Sequence, residues 1–379
     1  MMSRTSLSLR PPRAWQDSAL CSRFEQLTMP KGAFDSLMLP VLAIDAQRCS
    51  GHDPSALKCA GVLFAGDHSV AREYGVSAYP AEVTPQMVAN IVSGGAAISG
   101  LAARRQAHLW VCDVGVAEGF DELLAMSSSK RITYRRENLH QKFSTEGYEH
   151  GSRDITCKAA LSPEAHKHCW NVGMSLAEEA IAQTECDFIF LGEMGIGNTT
   201  PASALSAFVL EKSAEECVGR GTGVDDRSLL AKQNVVRRAV DRARVALSWQ
   251  GLRDFEDAHA LVQQVGGAEL SALAGAAWRA AEMGRYVLID GLIVTAAVAP
   301  FALAEKSFGQ WLLASHQSAE PVHAHLLRAL ELEPLLKLGL RLGEGSAAAL
   351  AAGLLQDADF LLRTMATFTS AGVSSSTHD

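Results

Sequence analysis

Three glycine-bounded stretches carry side chains that could do chemistry. In "LGEMGIGNTTPAS" (191–203), Glu193 stands at the mouth of a tight loop containing Gly195, Gly197, Asn198 and Thr199. A helix is expected right after it, with Asn198 or Thr199 as cap and Pro201 in its first turn. The backbone N–H groups of such a loop can hold an anion, although an ordinary strand-to-helix turn has the same composition. "GRGTGVDD" (219–226), with Gly221, leads into a second helix capped by Asp225 or Asp226. On that helix Leu229, Val236, Val240, Ala243 and Leu247 form an apolar stripe, and Lys232 falls at its edge. A lysine there either snorkels or reaches the anion of the first loop. "LRLGEGSAAAL" (340–350) sets Glu344 between Gly343 and Gly345, with Ser346 placed to cap another helix. A carboxylate at that point serves the helix dipole or faces a cleft. In "GVSAYPAEVTPQMV" (75–88), Tyr79 could stack on a planar ring and Gln86 could bond its edge, or the turn could simply pack on its own aromatic.

Several chemistries are excluded. The first loop reads G-x-x-G-x-G, which is neither the dinucleotide fingerprint nor a P-loop, and no G-K-[ST] occurs. The acidic pair followed by T-G-G that clamps a diphosphate donor is missing, and "GVDDRS" does not supply it. A phosphate site, a lysine, two glutamates and a flat-ring pocket remain. They suit a ribosyl donor whose leaving group is already good, such as a pyridinium base, with no magnesium clamp. None of the eight cysteines forms a C-x-x-C pair, so zinc-ribbon and thioredoxin readings fail and a reducing cytoplasm is expected.

Five apolar runs must position these residues: 61–68, 108–116, 187–195, 286–294 and 310–318. Helix-length segments alternate with them, at about 85–106, 164–183, 200–212, 226–249, 267–283 and 322–332. This predicts an α/β fold with a mostly parallel sheet flanked by helices, Rossmann-like. Each run ends in polar or small residues, Asp67-His68, Asp113, Glu193, Asp290-Gly291 and Ser315 to Ser318. In such sheets ligands bind beyond the carboxyl ends of the strands. Residues 1–50 and 329–379 read as helix and loop, and are expected to pack together as a small helical domain beside a catalytic domain at 51–328. The last ten residues, "SAGVSSSTHD", read as disordered.

The chain has 379 residues, 48% of them apolar, and a net charge of -8. That argues against a nucleic-acid or anionic-membrane surface. The longest apolar run, "GLIVTAAVAPFALA", is too short to span a bilayer and contains Pro300. The first residues lack the apolar core of a signal peptide. A soluble protein is expected.

From "GDHSVAREYGVSAYPAEVTPQMV" through "GGAAISGLA" (94–102), "DVGV" (113–116), "GEMGIGNTTPASAL", "GRGTGVDD" with Lys232, "DGLIVTAAV" (290–298), "HQSAEP" (316–321) and "LRLGEGSAAAL", the chain closely resembles the nicotinate-nucleotide:dimethylbenzimidazole phosphoribosyltransferases. The resemblance implies transfer of phosphoribosyl from nicotinate mononucleotide to 5,6-dimethylbenzimidazole, giving α-ribazole 5′-phosphate and nicotinate with inversion, in the lower-ligand branch of cobalamin synthesis. It implies Glu344 as general base and Glu193 as the second active-site carboxylate, near the donor ribose. It places Gly195, Gly197, Asn198, Thr199, Lys232 and Gly221 on the donor and its phosphate. Ser77, Tyr79, Gln86, Ser318 and Leu342 fall to the acceptor base. It implies no cofactor and no metal, and a homodimer whose partner closes part of the site. The chain departs from the family at "MPKGAFDSL" (29–37) for K-P-x-G-S-L-G, "GGAE" (266–269) for GGFE, "GSRD" (151–154) for GTRN, and "GEGSA" for GEGSG. Pocket walls set which acceptor fits, and some relatives use adenine or phenols.

Overall fold

The computed structural model describes residues 9–48, 55–117, 130–221 and 223–374. Six strands form one sheet: β1 (Cys59–Gly66), β2 (Leu109–Gly115), β3 (Ile132–Arg136), β4 (Phe188–Met194), β5 (Tyr286–Ile289) and β6 (Leu312–Ala314). Their order is β3-β2-β1-β4-β5-β6, and every pairing is parallel. β1, β2 and β4 are buried throughout, which is why they read as continuous apolar runs. The chain runs outward from β1 to β3 and returns to β4, so the crevice between the ends of β1 and β4 is the switch point of the sheet. Phe64 pairs with Glu193 and Ala65 with Met194, which brings Glu193 into that crevice.

The longer helices are α1 (Asp35–Asp45), α2 (Val83–Val92), α3 (Ala97–Arg104), α4 (Pro163–Thr184), α5 (Thr199–Val209), α6 (Asp226–Ala246), α7 (Phe255–Val265), α8 (Ala268–Glu282), α9 (Leu292–Ala304), α10 (His323–Ala329) and α11 (Ser346–Thr364). α4 and α8 pack almost backbone to backbone. A β-carbon on Gly173 would collide with the Ala272 carbonyl, and one on Gly275 with that of Trp170. The small residues of "AELSALAGAAW" thus set the spacing of one helical layer on the sheet.

The structure departs from the expected elements at three places. β3 lies outside the five apolar runs: it is a five-residue edge strand, half-buried along its length, ending in Arg135-Arg136. Edge strands carry charge and lack the apolar run that marks a central strand. The run 286–294 is a strand only to Ile289; Asp290-Gly291 breaks it, and the apolar residues beyond form α9, with Pro300 inside. The helix expected at 85–106 is two, parted at Ser93-Gly94-Gly95, with Gly94 at φ 89°. Val83–Arg104 is the one described stretch long and apolar enough to cross a bilayer, and that break divides it.

The chain ends meet. Thr28 N–H donates to the Ala366 carbonyl and Phe368 N–H to that of Gln26, both within 3.0 Å. Arg23 donates to the Leu362 and Met365 carbonyls, and Arg363 reaches Asp45 at 3.4 Å. α11 lies on α1 and also on α3 and β4. The last residues of the tail, 375–379, lie outside the described residues.

Candidate active site

Glu193 leaves β4 into a buried position, 6% exposed. Asn198 Nδ2 donates to its Oε2 at 2.5 Å, and the Glu344 N–H donates to its Oε1 at 3.3 Å. Glu344 is itself 7% exposed. Its loop takes a left-handed backbone at three successive residues, with φ of 82° at Gly343, 62° at Glu344 and 79° at Gly345. A β-carbon on Gly343 would lie 2.6 Å from Glu193 Oε1, and one on Gly192 would lie 2.5 Å from the Glu344 carbonyl oxygen. The glycines around both glutamates are therefore needed for contact as much as for conformation. Among the residues of the first loop only Gly197 has a positive φ, 90°; Gly195 is a glycine because it abuts the Gly66 carbonyl.

A third carboxylate completes the cluster. Asp290, at the end of β5, accepts from Gly345 N–H at 3.1 Å and Ala348 N–H at 2.9 Å. It is the effective cap of α11, so Ser346, expected there, is not; the Ser346 hydroxyl has no hydrogen-bond partner. Asn198 likewise stands at the N-terminal boundary of α5, but its side chain goes to Glu193 and makes no capping bond. Burial, reinforced by Asp290, lifts the Glu193 carboxyl to about 8 and pushes Glu344 above the usual carboxylate range. Burial raises Asp290 too, against the opposing pull of His316, whose Nδ1 lies 3.9 Å away.

Next to this acidic group sits a buried cation. Lys232 is 1% exposed, on the inward face of α6. Its Nζ donates to Thr199 Oγ1 at 2.8 Å and to the Gly219 carbonyl at 3.1 Å. Burial lowers its pKa to about 8, with the Glu320 carboxylate pulling the other way. Gly221 flanks it: a β-carbon there would lie 3.6 Å from Lys232 Nζ, and its N–H donates to Glu320 Oε1 at 2.8 Å. Asn198 and Thr199 are neighbours in the chain, so one loop ties Glu193 on one side and Lys232 on the other. The snorkelling alternative for Lys232 fails, because its ammonium points inward. Asp225 caps α6 as expected, accepting from Ser228 N–H at 2.8 Å.

The family profile described as Phosphoribosyltransferase matches residues 9–373. A nicotinate-nucleotide–dimethylbenzimidazole phosphoribosyltransferase of Mycobacterium avium (strain 104) is 39% identical over 370 residues, 97% of each chain. The chain belongs to this family. It is a phosphoribosyltransferase. A protein of the same name from Pseudomonas putida is 41% identical over 353 residues, 93% of this chain and 92% of that one. The crystal structure of CobT from Thermus thermophilus superposes with a TM-score of 0.77 at 34% identity, covering 96% of this chain and all of that one. The Rossmann-like parallel sheet is thus the fold of the phosphoribosyltransferase family.

The residues matched to the acceptor side of this phosphoribosyltransferase are dispersed. Ser318 is buried, with its N–H donating to His323 Nδ1 at 2.9 Å. Tyr79 is 51% and Leu342 59% exposed, Gln86 is exposed and Ser77 half-buried. Ser77 Oγ accepts from the Tyr79 N–H at 3.2 Å. Among the described residues, none of Ser77, Tyr79, Gln86 and Leu342 bonds to Glu193 or Glu344 through its side chain. Within the same helix as Gln86, Thr84 does reach the site: its hydroxyl donates to Asp67 Oδ1 at 2.5 Å and accepts from Ile196 N–H at 3.0 Å.

Asp67 and Asp290 show in the sequence only as polar strand ends, and Thr84 and Glu320 show no role of their own there. Glu269 shows in the sequence only as the end of an altered motif. It is fully buried beside His68, Oε1 to Nε2 at 2.7 Å, and adds to the field that raises Glu193. One signal could have found it: Glu269 is the one charge in the run Ala268–Trp278, and an acid in so apolar a stretch is rarely buried without a task.

Asp290 seats Glu344 without itself being assigned a reacting atom. Asp290→Asn is expected to lower kcat about 10-fold to 100-fold, since one N–H at the start of α11 loses its charged acceptor. Removing the charge also lets Glu193 ionise more easily. The acidic limb of the pH–rate profile should therefore move to lower pH, which a merely structural defect would not produce.

Proposed function

We propose that this enzyme transfers phosphoribosyl from nicotinate mononucleotide to 5,6-dimethylbenzimidazole, with inversion at the anomeric carbon. The observation that carries this reading is the pairing of a buried acidic cluster with a buried lysine across one loop. Lys232, Thr199, the loop at Gly195 and Gly197 and the loop at Gly221 take the phosphate. Glu193, held by Asn198, faces the ribose. The bond from C1′ to the pyridinium nitrogen breaks, and its electron pair leaves with nicotinate. The positive charge left on the sugar meets the Glu193 carboxylate in a water-poor site, where a fixed charge is most effective. One benzimidazole nitrogen attacks C1′ while the other loses its proton to Glu344. Without that step the product base would stay cationic. The raised pKa of Glu344 suits it to accept such a proton and pass it to solvent.

Ser77, Tyr79, Gln86, Leu342 and Ser318 form the acceptor side in this reading. The exposure of Tyr79 and Leu342 supports a homodimer in which a second copy covers them. Residues 1–50 and 329–379 act as one small helical unit, supported by the bonds that join the chain ends. The enzyme is assigned to the cytoplasm, supported by the seven described cysteines, all free.

The test is to incubate the protein with nicotinate mononucleotide and dimethylbenzimidazole, without added metal, and to follow both products by HPLC and NMR. Nicotinate and the α-anomer should form in equal amounts. Adenine and phenol run alongside as acceptors, and preference for either would reassign the acceptor. Saturable donor binding with no nicotinate release from any acceptor would sink the transfer itself.

The pH dependence is distinctive. In the free enzyme Glu193 must lose a proton with a pKa of about 8, and Lys232 must keep one with a pKa of about 8. The kcat/KM profile is expected to be a narrow bell centred near the pH of those two values. The donor's pyridinium cation, set beside Glu193, lowers the Glu193 pKa on binding, so the acidic limb of kcat should lie below that of kcat/KM.

A further inference from the structure

A cavity of about 610 Å³ opens at the end of the sheet opposite the acidic cluster. Its wall includes Cys59, the first residue of β1, whereas Gly66 ends that strand beside Glu193. Eight residues of strand put about 23 Å between the two ends. Lys58, Arg104, Arg105 and Arg131 line the cavity, and among the described residues no carboxylate does. In a chain of net charge -8, four cations on one concave wall are a local concentration of positive potential. Among the described residues none of the four makes a salt bridge. Arg131 donates to the Gln106 carbonyl at 3.0 Å, and Arg105 Nε is buried without a partner. Asp187, beside the rim, is already engaged by Arg48 at 2.7 Å and by the Lys58 N–H at 2.8 Å.

The wall is built as well as charged. Gly353, inside α11, lets the Arg105 guanidinium lie against the helix, and any β-carbon there would collide with it. A glycine in mid-helix costs about 0.5–1 kcal/mol relative to alanine. Gln356, one turn on, donates to the Leu57 carbonyl at 3.2 Å and the Arg105 carbonyl at 3.4 Å, and so pins the arginine's backbone.

We propose that this cavity is a binding site for a small polyanion, a phosphate ester or a polycarboxylate, separate from the transfer site. Guanidinium forks at Arg104, Arg105 and Arg131 pair with either kind of oxyanion, and Lys58 adds a point charge. The concave shape and the acidic character of the chain as a whole favour a small molecule over a nucleic acid.

Isothermal titration with inorganic pyrophosphate tests this. The phosphate site at Lys232 is first filled with saturating nicotinate mononucleotide, with no acceptor base present. One further equivalent of pyrophosphate should bind. Arg104→Ala with Arg131→Ala should weaken it at least 10-fold, while Lys232→Ala leaves it unchanged. Gln106→Glu, an exposed isosteric change that adds a carboxylate to the wall, should also weaken it, and keeps the test open if the double variant folds poorly. Citrate in place of pyrophosphate tells a carboxylate site from a phosphate site. No binding to the loaded enzyme, or binding indifferent to both sets of substitutions, would overturn the proposal. So would displacement of pyrophosphate by a far lower concentration of duplex oligonucleotide.

Discussion

Glu344→Gln is expected to lower kcat by about 10²-fold to 10⁴-fold, the range for losing a positioned general base, while KM for nicotinate mononucleotide changes little. In the proposed mechanism the donor meets the loop at Lys232, which this substitution does not touch. Glutamine keeps the shape of the side chain and the N–H that donates to Glu193. It keeps the same left-handed backbone, φ 62°, so it adds no strain. The measurement is a steady-state comparison with the wild type, together with a thermal unfolding curve. A more acidic azole acceptor should recover part of the loss, because it gives up its proton more readily. An undiminished kcat would remove Glu344 from the role of base and leave the transfer itself standing.

Lys232→Met should do the reverse, raising KM for the donor about 100-fold with a smaller change in kcat, as expected when one charge-assisted contact to a phosphate is lost. Its effect on stability should have the opposite sign. The lysine titrates at about 8 in the folded chain against an ordinary value of 10.5. Between those values the unfolded chain binds more protons, so stability without ligand should rise with pH across that window. Below it the buried charge is a standing cost, which methionine removes. At pH 7 and without phosphate the variant should melt no lower than the wild type, and the pH dependence across the window from about 8 to 10.5 should flatten. A melting temperature several degrees lower would mean that the bonds to Thr199 and Gly219 outweigh the buried charge.

Much of the framework is legible in the chain. The central strands, Phe188–Met194 above all, are apolar runs because they are covered on both faces, and buried parallel strands have no polar side to hide the signal. The helix caps that are local are legible too: Asp225 lies three residues from the N–H it accepts from. Lys232 stands out because an inward lysine interrupts a stripe of helical period. By contrast β3 has little apolar content to read, and the division of 85–106 into two helices turns on one glycine pair.

The residue types and their order determined, without any coordinates, that this is an α/β phosphoribosyltransferase with one glutamate at a strand end, a second in a glycine-flanked loop and a lysine on the inward face of a helix. Side-chain chemistry and local spacing are properties of the chain, and they survive in one dimension. Only the tertiary structure decided that Asp290, more than fifty residues upstream, caps the helix behind Glu344. It also decided that Glu193 and Glu344 share a hydrogen bond across 151 positions, and that Glu269 adds its charge to theirs. Burial and through-space charge set the protonation of those groups, and neither has a period or a spacing along the sequence. They arise only when the ends of separate strands are packed into one crevice and water is excluded from it.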